Sequence, residues 1–105
     1  MEIRRSTYFV LAALLDGPLH GYGIIGRAAE LSGGEVRLST GTLFGALDRL
    51  VESGLVQAGE EEKVEGRVRR SYTLTDDGLA ALSAEAGRMR RAARLVEMRV
   101  AKAAG

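Results

Sequence analysis

The stretch from Leu38 to Tyr72 constrains the fold of this chain more than any other part of the sequence. It opens with a predicted short helix of small polar and apolar residues, Ser39 to Leu50, and closes with a predicted hairpin whose tip, Gly66 to Arg70, is rich in arginine. A helix with a slim, uncharged leading end can enter a groove of a nucleic-acid duplex, and an arginine-rich ribbon beside it can hold backbone phosphates. The stretch therefore predicts a module suited to duplex recognition.

Two further helices are predicted ahead of this stretch. Arg4 to Leu15 has apolar residues at helical spacing and is followed by Asp16-Gly17-Pro18, where glycine and proline end a helix. The second helix, Gly21 to Ser32, contains three glycines that each cost about 1 kcal/mol relative to alanine, so packing must hold it. Its predicted buried face consists of Tyr22, Ile25, Ala28 and Ala29.

The third helix has clear start and stop signals. Ser39 and Thr40 are both good N-caps, and Gly54 is a natural stop. Its buried stripe, at spacings of four and three, is predicted to be Leu43, Leu47 and Leu50.

A two-stranded hairpin is predicted after the third helix. The first strand starts at Leu55-Val56, and the polar run Glu60 to Gly66 is expected to form the turn region. The return strand alternates between two faces. One face carries Val68, Arg70, Tyr72 and Leu74, and the other carries Arg67, Arg69, Ser71 and Thr73.

A long last helix is predicted from a cap at Thr75 to about Lys102. Its apolar residues alternate at spacings of three and four, which is typical of a heptad seam that packs on a partner helix. The seam consists of Leu79, Leu82, Ala86, Met89, Ala93, Val96 and Val100. Because two of these positions are alanines, we expect the partner's first helix to add packing. The order of elements predicts a mainly α-helical winged helix-turn-helix domain, residues 1–76, with a small two-stranded β wing and a long C-terminal dimerisation helix, residues 77–105.

Composition limits the classes of function. A chain of 105 residues with 46% hydrophobic residues suits one compact domain, and its formal charge of +1 excludes a bulk polycation. There is no cysteine and one histidine, His20, which we interpret as a capping or packing residue. We therefore expect no enzyme, no metal and no cofactor. The apolar run Tyr8 to Leu15 is too short to span a bilayer, so we expect a cytoplasmic protein without membrane contact.

Several motifs, in order along residues 8 to 80, resemble the PadR family of transcriptional regulators. They are Leu19-His20-Gly21-Tyr22, Leu31-Ser32-Gly33-Gly34, Leu38-Ser39-Thr40-Gly41-Thr42-Leu43, Ala46-Leu47-Asp48-Arg49-Leu50, Gly54-Leu55, Gly66-Arg67-Val68-Arg69-Arg70-Ser71-Tyr72 and Leu74-Thr75-Asp76-Asp77-Gly78. The resemblance implies a homodimeric repressor that binds double-stranded operator DNA and is released by a small molecule or another signal.

Carried onto this chain, the resemblance implies that Ser39 to Ser53 is the recognition helix. The predicted DNA-contacting residues are Ser39, Thr40, Thr42, Phe44, Arg49, Lys63, Arg67, Arg69 and Arg70. The chain departs from the family pattern at Phe44-Gly45, where members usually have tyrosine and proline. A hydroxyl that could donate a hydrogen bond to a DNA phosphate is therefore missing. Gly23 and Gly26 also replace residues that are commonly charged.

The dimer interface and an effector site are predicted at the long helix. The predicted dimerisation residues are Tyr8, Leu11, Leu79, Leu82, Ala86, Met89, Ala93, Val96 and Val100. An effector, if one regulates the dimer, is expected in an apolar cleft between the long helix and the partner's first helix. The residues of that cleft would be Phe9, Ala13, Met89, Ala93 and Val96.

Simpler interpretations stand beside these. The leucine stripe of the third helix is also what ordinary core packing requires. Tyr8 and Tyr22 are expected to be half-buried core residues with hydroxyls that could reach phosphates. The wing arginines could pair with Glu60, Glu61, Glu62 and Glu65 across the hairpin, either as a solvated charge ladder or as a way of holding the arginines when DNA is absent. An alternative function is a winged-helix protein-protein interaction module without specific DNA binding.

Overall fold

The computed structural model describes residues 3–105 and has the predicted order of helices and hairpin. The elements are α1 (Arg5–Ala13), β1 (Leu19–His20), α2 (Gly21–Leu31), α3 (Thr40–Glu52), β2 (Val56–Val64), β3 (Arg67–Leu74) and α4 (Asp76–Ala104). The predicted fold class is confirmed: the chain is mainly helical, with a small antiparallel sheet and a long C-terminal helix.

The sheet contains a short strand, β1, that the sequence analysis did not predict. Leu19 pairs with Tyr72 and His20 pairs with Ser71, so the strand order is β1-β3-β2. Two residues are too few to show the alternation that identifies a strand. The pairing ties the start of α2 to the base of the hairpin, which fixes the distance between the helices and the wing.

The hairpin turn is shorter than predicted. The run from Glu60 to Gly66 was expected to be a turn region, but β2 continues to Val64 and β3 begins at Arg67. Only Glu65 and Gly66 connect them, with φ of 53° and 77°, and such positive values suit the tight turns that match the twist of paired strands. The prediction was wrong because both faces of the wing tip are exposed, so its strands carry no apolar alternation.

The buried face of α2 also differs from the prediction. Tyr22 was expected to be half-buried, but it is 70% exposed, whereas Ile24 and Ala28 are fully buried. Gly21 is the reason, because a Cβ there would lie 2.8 Å from Cζ of Phe44. The helix approaches α3 closely through this glycine, which turns Tyr22 outwards.

The core lies between the three short helices and is closed by the sheet and the start of α4. Its largest fully buried side chains are Val10, Leu11, Ile24, Leu43 and Leu47. The predicted stripe of α3 is confirmed, since Leu50 is buried as well. This packing fixes the opposite face of α3 towards solvent.

Helix α4 has a packed beginning and a long free end. Leu82 is 5% exposed and belongs to the core cluster, but every residue from Arg88 to Gly105 is exposed. We call residues 88–105 the arm. Within the described residues, no helix combines the length and apolar character needed to cross a membrane.

The start of α4 depends on Thr75. Its Oγ1 accepts a hydrogen bond from the Gly78 amide at 3.0 Å and donates one to the Gly54 carbonyl oxygen at 2.7 Å. We expect Thr75→Ala to lower the free energy of unfolding by about 1–2 kcal/mol, because a helix cap and a loop contact are lost together. Thr75→Ser keeps the hydroxyl and should recover most of the loss. Urea denaturation followed by circular dichroism measures both, and equal stability of Thr75→Ala and the wild type would contradict the assignment.

Candidate nucleic-acid interface

The leading end of α3 is polar, capped and exposed. Ser39 is the N-cap, as predicted: its Oγ accepts from the Thr42 amide at 3.2 Å and donates to Thr42 Oγ1 at 2.9 Å. Thr40, Gly41 and Thr42 are exposed. Arg49 is exposed too and extends back towards Gly45, where a Cβ would lie 3.6 Å from its Nη1. The end of α3 can therefore approach another molecule without steric obstruction from bulky side chains.

The wing presents its basic residues to solvent. Lys63, Arg67, Arg69 and Arg70 are all exposed. Arg67 stands opposite Val64 in the strand register, and Arg69 stands opposite Glu62. The predicted charge ladder is realised in part, because Arg70 forms an ion pair with Glu61 at 3.0 Å.

A groove joins the wing to the helices. It is a cavity of about 360 Å³ with Phe44 of α3 on one side, the start of α2 on another and strand β3 on the third. We call it the wing groove. Its lining residues are His20, Gly21, Tyr22, Gly23, Phe44, Glu61, Arg67, Val68, Arg69, Arg70 and Tyr72. The structure thus brings together Phe44 and the three wing arginines, which were predicted as contacts, whereas Ser39, Thr40, Thr42, Arg49 and Lys63 lie outside the lining.

Two exposed side chains of the groove were not among the predicted DNA-contacting residues. Tyr22 and Val68 are large, apolar and mostly solvent-exposed. Val68 shares a face of β3 with buried Tyr72, but it is exposed because the wing tip extends beyond the core. The signal that could have identified Tyr22 is the glycine before it, because a helix packed closely through Gly21 has to point the next residue away.

The floor of the groove is an uncharged phenol. Tyr72 is buried, and this burial raises the pKa of its hydroxyl above the usual value of 10.0. The nearby Asp48 carboxylate raises the pKa further, and the Arg70 guanidinium opposes both effects. His20, at the N-cap position of α2, makes no side-chain capping bond. The groove therefore contains three guanidinium groups, those of Arg67, Arg69 and Arg70, and one carboxylate, that of Glu61.

The predicted dimerisation residues fall into two groups. Leu79, Met89, Ala93, Val96 and Val100 are exposed, while Tyr8 and Ala86 are half-buried. Leu11 and Leu82 were predicted at the interface, but both are buried in the chain's own core because the first turns of α4 pack against α1. We therefore remove these two from the proposed interface.

The predicted effector cleft needs a similar correction. Ala13 is buried, and the shallow pocket that it does line is formed with Asp16, Gly17, Pro18, Leu19 and Arg27 and includes no residue of α4. Phe9 is half-buried, with its ring centroid 5.2 Å from that of Tyr8 and 5.5 Å from the Arg5 guanidinium carbon. Met89, Ala93 and Val96 remain exposed on α4.

Charge is divided unevenly along the chain. The arm, residues 88–105, contains six basic residues and one acidic residue, whereas residues 1–87 contain nine basic and thirteen acidic residues. Residues 1–87, which are the winged domain and the packed start of α4, are therefore acidic overall, and the arm is strongly basic. This asymmetry is hidden in the formal charge of +1.

Comparison with known proteins places these features among transcriptional regulators. The family model of the transcriptional regulator PadR-like family matches residues 10–84. The chain is 39% identical over 74 residues to transcriptional regulator Rv3488 of Mycobacterium tuberculosis, covering 70% of this chain and 65% of that protein. It is 43% identical over 91 residues to an uncharacterized 37.1 kDa protein in transposon Tn4556 of Streptomyces fradiae, covering 87% of this chain and 25% of that protein. The chain thus spans slightly less than two thirds of one relative and a quarter of the other.

Among solved structures, the chain is similar to Bacillus subtilis PadR in complex with operator DNA. The TM-score is 0.67 and the identity is 26%, over 77% of this chain and 47% of that one. That protein is a winged-helix regulator whose crystal structure contains its operator DNA.

Proposed function

Because this chain belongs to the PadR-like family of transcriptional regulators, we propose that it is a sequence-specific DNA-binding repressor that acts as a homodimer. The observation that carries the proposal is the wing groove, which is lined by Phe44 of α3 and by Arg67, Arg69 and Arg70 of β3. A recognition helix beside a row of guanidinium groups can enter the major groove while the wing holds the backbone. The family assignment supports a role in transcriptional regulation, and no catalytic role is proposed.

The proposed DNA contacts follow from exposure. Thr40 and Thr42, on the slim end of α3, would approach base edges, and Phe44 would follow them with an apolar ring. Arg67 and Arg69 would contact phosphates, with Lys63 at the rim of the wing. Tyr22 joins this set, because its exposed ring lines the same groove.

The proposed dimer is held by α4. Met89, Val96 and Val100 form an exposed apolar seam along α4. An exposed apolar surface of this kind is typical of a protein–protein interface. A second copy is the occupant that charge favours, since the basic arm of one chain complements the acidic winged domain of the other. A two-fold dimer would place the recognition helices about 34 Å apart, so the operator would be an interrupted inverted repeat.

An effector site is proposed at the same interface. The exposed arm residues Met89, Ala93 and Val96 and the half-buried Phe9 would form its walls once the partner's α1 covers them. A small molecule seated there would change the angle between the two winged domains and release the operator. As a protein that acts on operator DNA, it would work in the cytoplasm.

The experiment that tests the proposal removes the wing arginines. We expect Arg67→Ala/Arg69→Ala to lower operator affinity by at least about tenfold at physiological salt. If the wild-type dimer neutralises about eight phosphates, the logarithm of the association constant for DNA (log K) falls with the logarithm of the salt concentration with a slope of about 7. The variant loses four phosphate contacts per dimer, which should reduce that slope by nearly 4. Arg27→Ala is the control, because Arg27 pairs with Asp16 and lies outside the lining of the wing groove.

The alternative function predicts a different outcome from the same variant. If Arg67→Ala/Arg69→Ala binds DNA as the wild type does but loses a protein partner, the chain is a protein-interaction module. Fluorescence anisotropy with labelled duplexes, and pull-down from the native cell, measure the two properties side by side.

A further inference from the structure

The only ion pair of the wing within residues 3–105 lies in the groove itself. Glu61 and Arg70 stand opposite each other on β2 and β3, and their charged groups are 3.0 Å apart. Both side chains remain partly exposed, at 61% and 42%, and both line the wing groove. Of the three wing arginines, Arg70 is therefore the one whose guanidinium is already occupied by an anion.

The neighbouring arginines are in a different situation. Arg67 has Val64 across the ladder, and Arg69 has Glu62 across the ladder, with no ion pair formed by either arginine in the described part of the chain. Residues 56–74 contain four acidic and four basic side chains, so the wing has no net charge. A ribbon that should attract a polyanion is thus electrically neutral before DNA arrives.

We propose that Glu61 competes with DNA phosphate for Arg70 and thereby sets the affinity of the wing for any duplex. The carboxylate occupies the guanidinium in the DNA-free protein, and a phosphate entering the groove takes its place. An exposed ion pair is weak enough to be exchanged in this way. A phosphate can accept bidentate hydrogen bonds from Arg70 as well as a carboxylate can. This inference rests on the proposed DNA-binding function and makes Glu61 a positioning residue that acts through Arg70.

The competition between Glu61 and phosphate for Arg70 lowers the affinity for DNA and does not depend on the base sequence. Each dimer has to break two Glu61–Arg70 pairs to bring both Arg70 side chains onto the backbone, and each freed carboxylate then faces phosphates. Because phosphates are the same in every duplex, the penalty applies to operator and random DNA alike. Because the affinity is lowered, we expect the protein to dissociate readily from DNA when the geometry of the dimer changes.

The test is Glu61→Gln, which keeps the size of the side chain and removes its charge. We expect it to tighten binding to an operator duplex and to a random duplex by a similar factor of about five, because two weak pairs no longer oppose binding. The slope of the logarithm of the association constant against the logarithm of the salt concentration should become steeper by nearly 2. The reason is that the freed Glu61 carboxylate of the wild type takes up one cation per chain, which offsets one counterion released from DNA, and the glutamine does not. Glu62→Gln makes the same charge change on the other face of β2 and should stay within about twofold of the wild type.

A double-substitution cycle with Arg70→Gln tests whether Glu61 acts through Arg70. The gain from Glu61→Gln should shrink to less than half in the Arg70→Gln background, measured as the change in log K. An equal gain in both backgrounds, or an equal gain for Glu62→Gln, would show simple charge repulsion and overturn the proposal. A gain on the operator alone would also overturn it, because Glu61 would then be reading bases.

The outcomes separate this inference from the proposed function. If the wild-type protein binds no duplex, both are wrong. If the wild type binds with the expected salt dependence and Glu61→Gln binds no more tightly, only the role of Glu61 is wrong.

Discussion

Replacing Met89 and Val96 with glutamate is expected to convert the protein to a monomer and to lower its operator affinity by about 100-fold or more. These residues are 38% and 60% exposed in the single chain, on the apolar seam of α4. A dimer would bury four glutamate side chains, two from each chain, and burying charges without partners costs more free energy than the apolar contacts of the seam contribute. Each winged domain would then bind a half-site alone, without the high local concentration that its partner provides.

The opposite face of α4 offers a matched control. Leu95 and Met98 are at least as exposed as Met89, but the helical period places them on the other side of α4. Leu95→Glu/Met98→Glu should therefore remain dimeric and bind the operator as the wild type does. Sedimentation equilibrium gives the mass of each variant, and a duplex titration gives its affinity. A dimeric Met89→Glu/Val96→Glu protein would show that the seam is not the interface.

The second large effect is expected from Gly78→Ala in the first turn of α4. A Cβ at this position would lie 2.1 Å from the Leu55 carbonyl oxygen and 2.8 Å from Cδ1 of Leu74. The Leu55 carbonyl cannot move freely, because it accepts the amide hydrogen bond of Thr75 at 3.1 Å. We expect the free energy of unfolding to fall by about 3 kcal/mol, since backbone and core must both shift.

Gly26→Ala provides the comparison for Gly78→Ala. Gly26 lies in α2, and a Cβ added there would meet no heavy atom within 4 Å beyond its own helical turn, so alanine should stabilise the helix by about 0.5–1 kcal/mol. Urea denaturation measures both variants. A Gly78→Ala protein as stable as the wild type would show that α4 can shift away from Leu55 without loss.

The parts of the fold that the sequence predicted are those with both a cap and a periodic stripe. Ser39 and Thr75 begin α3 and α4 as expected, because their hydroxyls satisfy amides that any helix start leaves free. Strand β1 was missed because two residues show no period, and its existence depends on Tyr72, which is distant in the sequence.

The candidate site was predicted in the same uneven way. Arg67, Arg69 and Arg70 are evident in the sequence because arginines cluster at a hairpin tip. The pairing of Glu61 with Arg70 depends on strand register, which shifts between Ala58 and Glu61, and a shift of one residue changes every cross-strand neighbour. Tyr22 depends on the close packing of Gly21 against Phe44. Contacts of this kind are decided by tertiary structure.

We propose that two chains joined through α4 bind one duplex. The most direct measurement recovers DNA crosslinked to the protein in its native cell and titrates the purified protein onto that duplex in an analytical ultracentrifuge at several salt concentrations. We predict two chains per interrupted inverted repeat, half-site centres about 34 Å apart, and a salt slope of about 7. A stable monomer at cellular concentration, with no salt-dependent affinity for the recovered DNA, would contradict the claim.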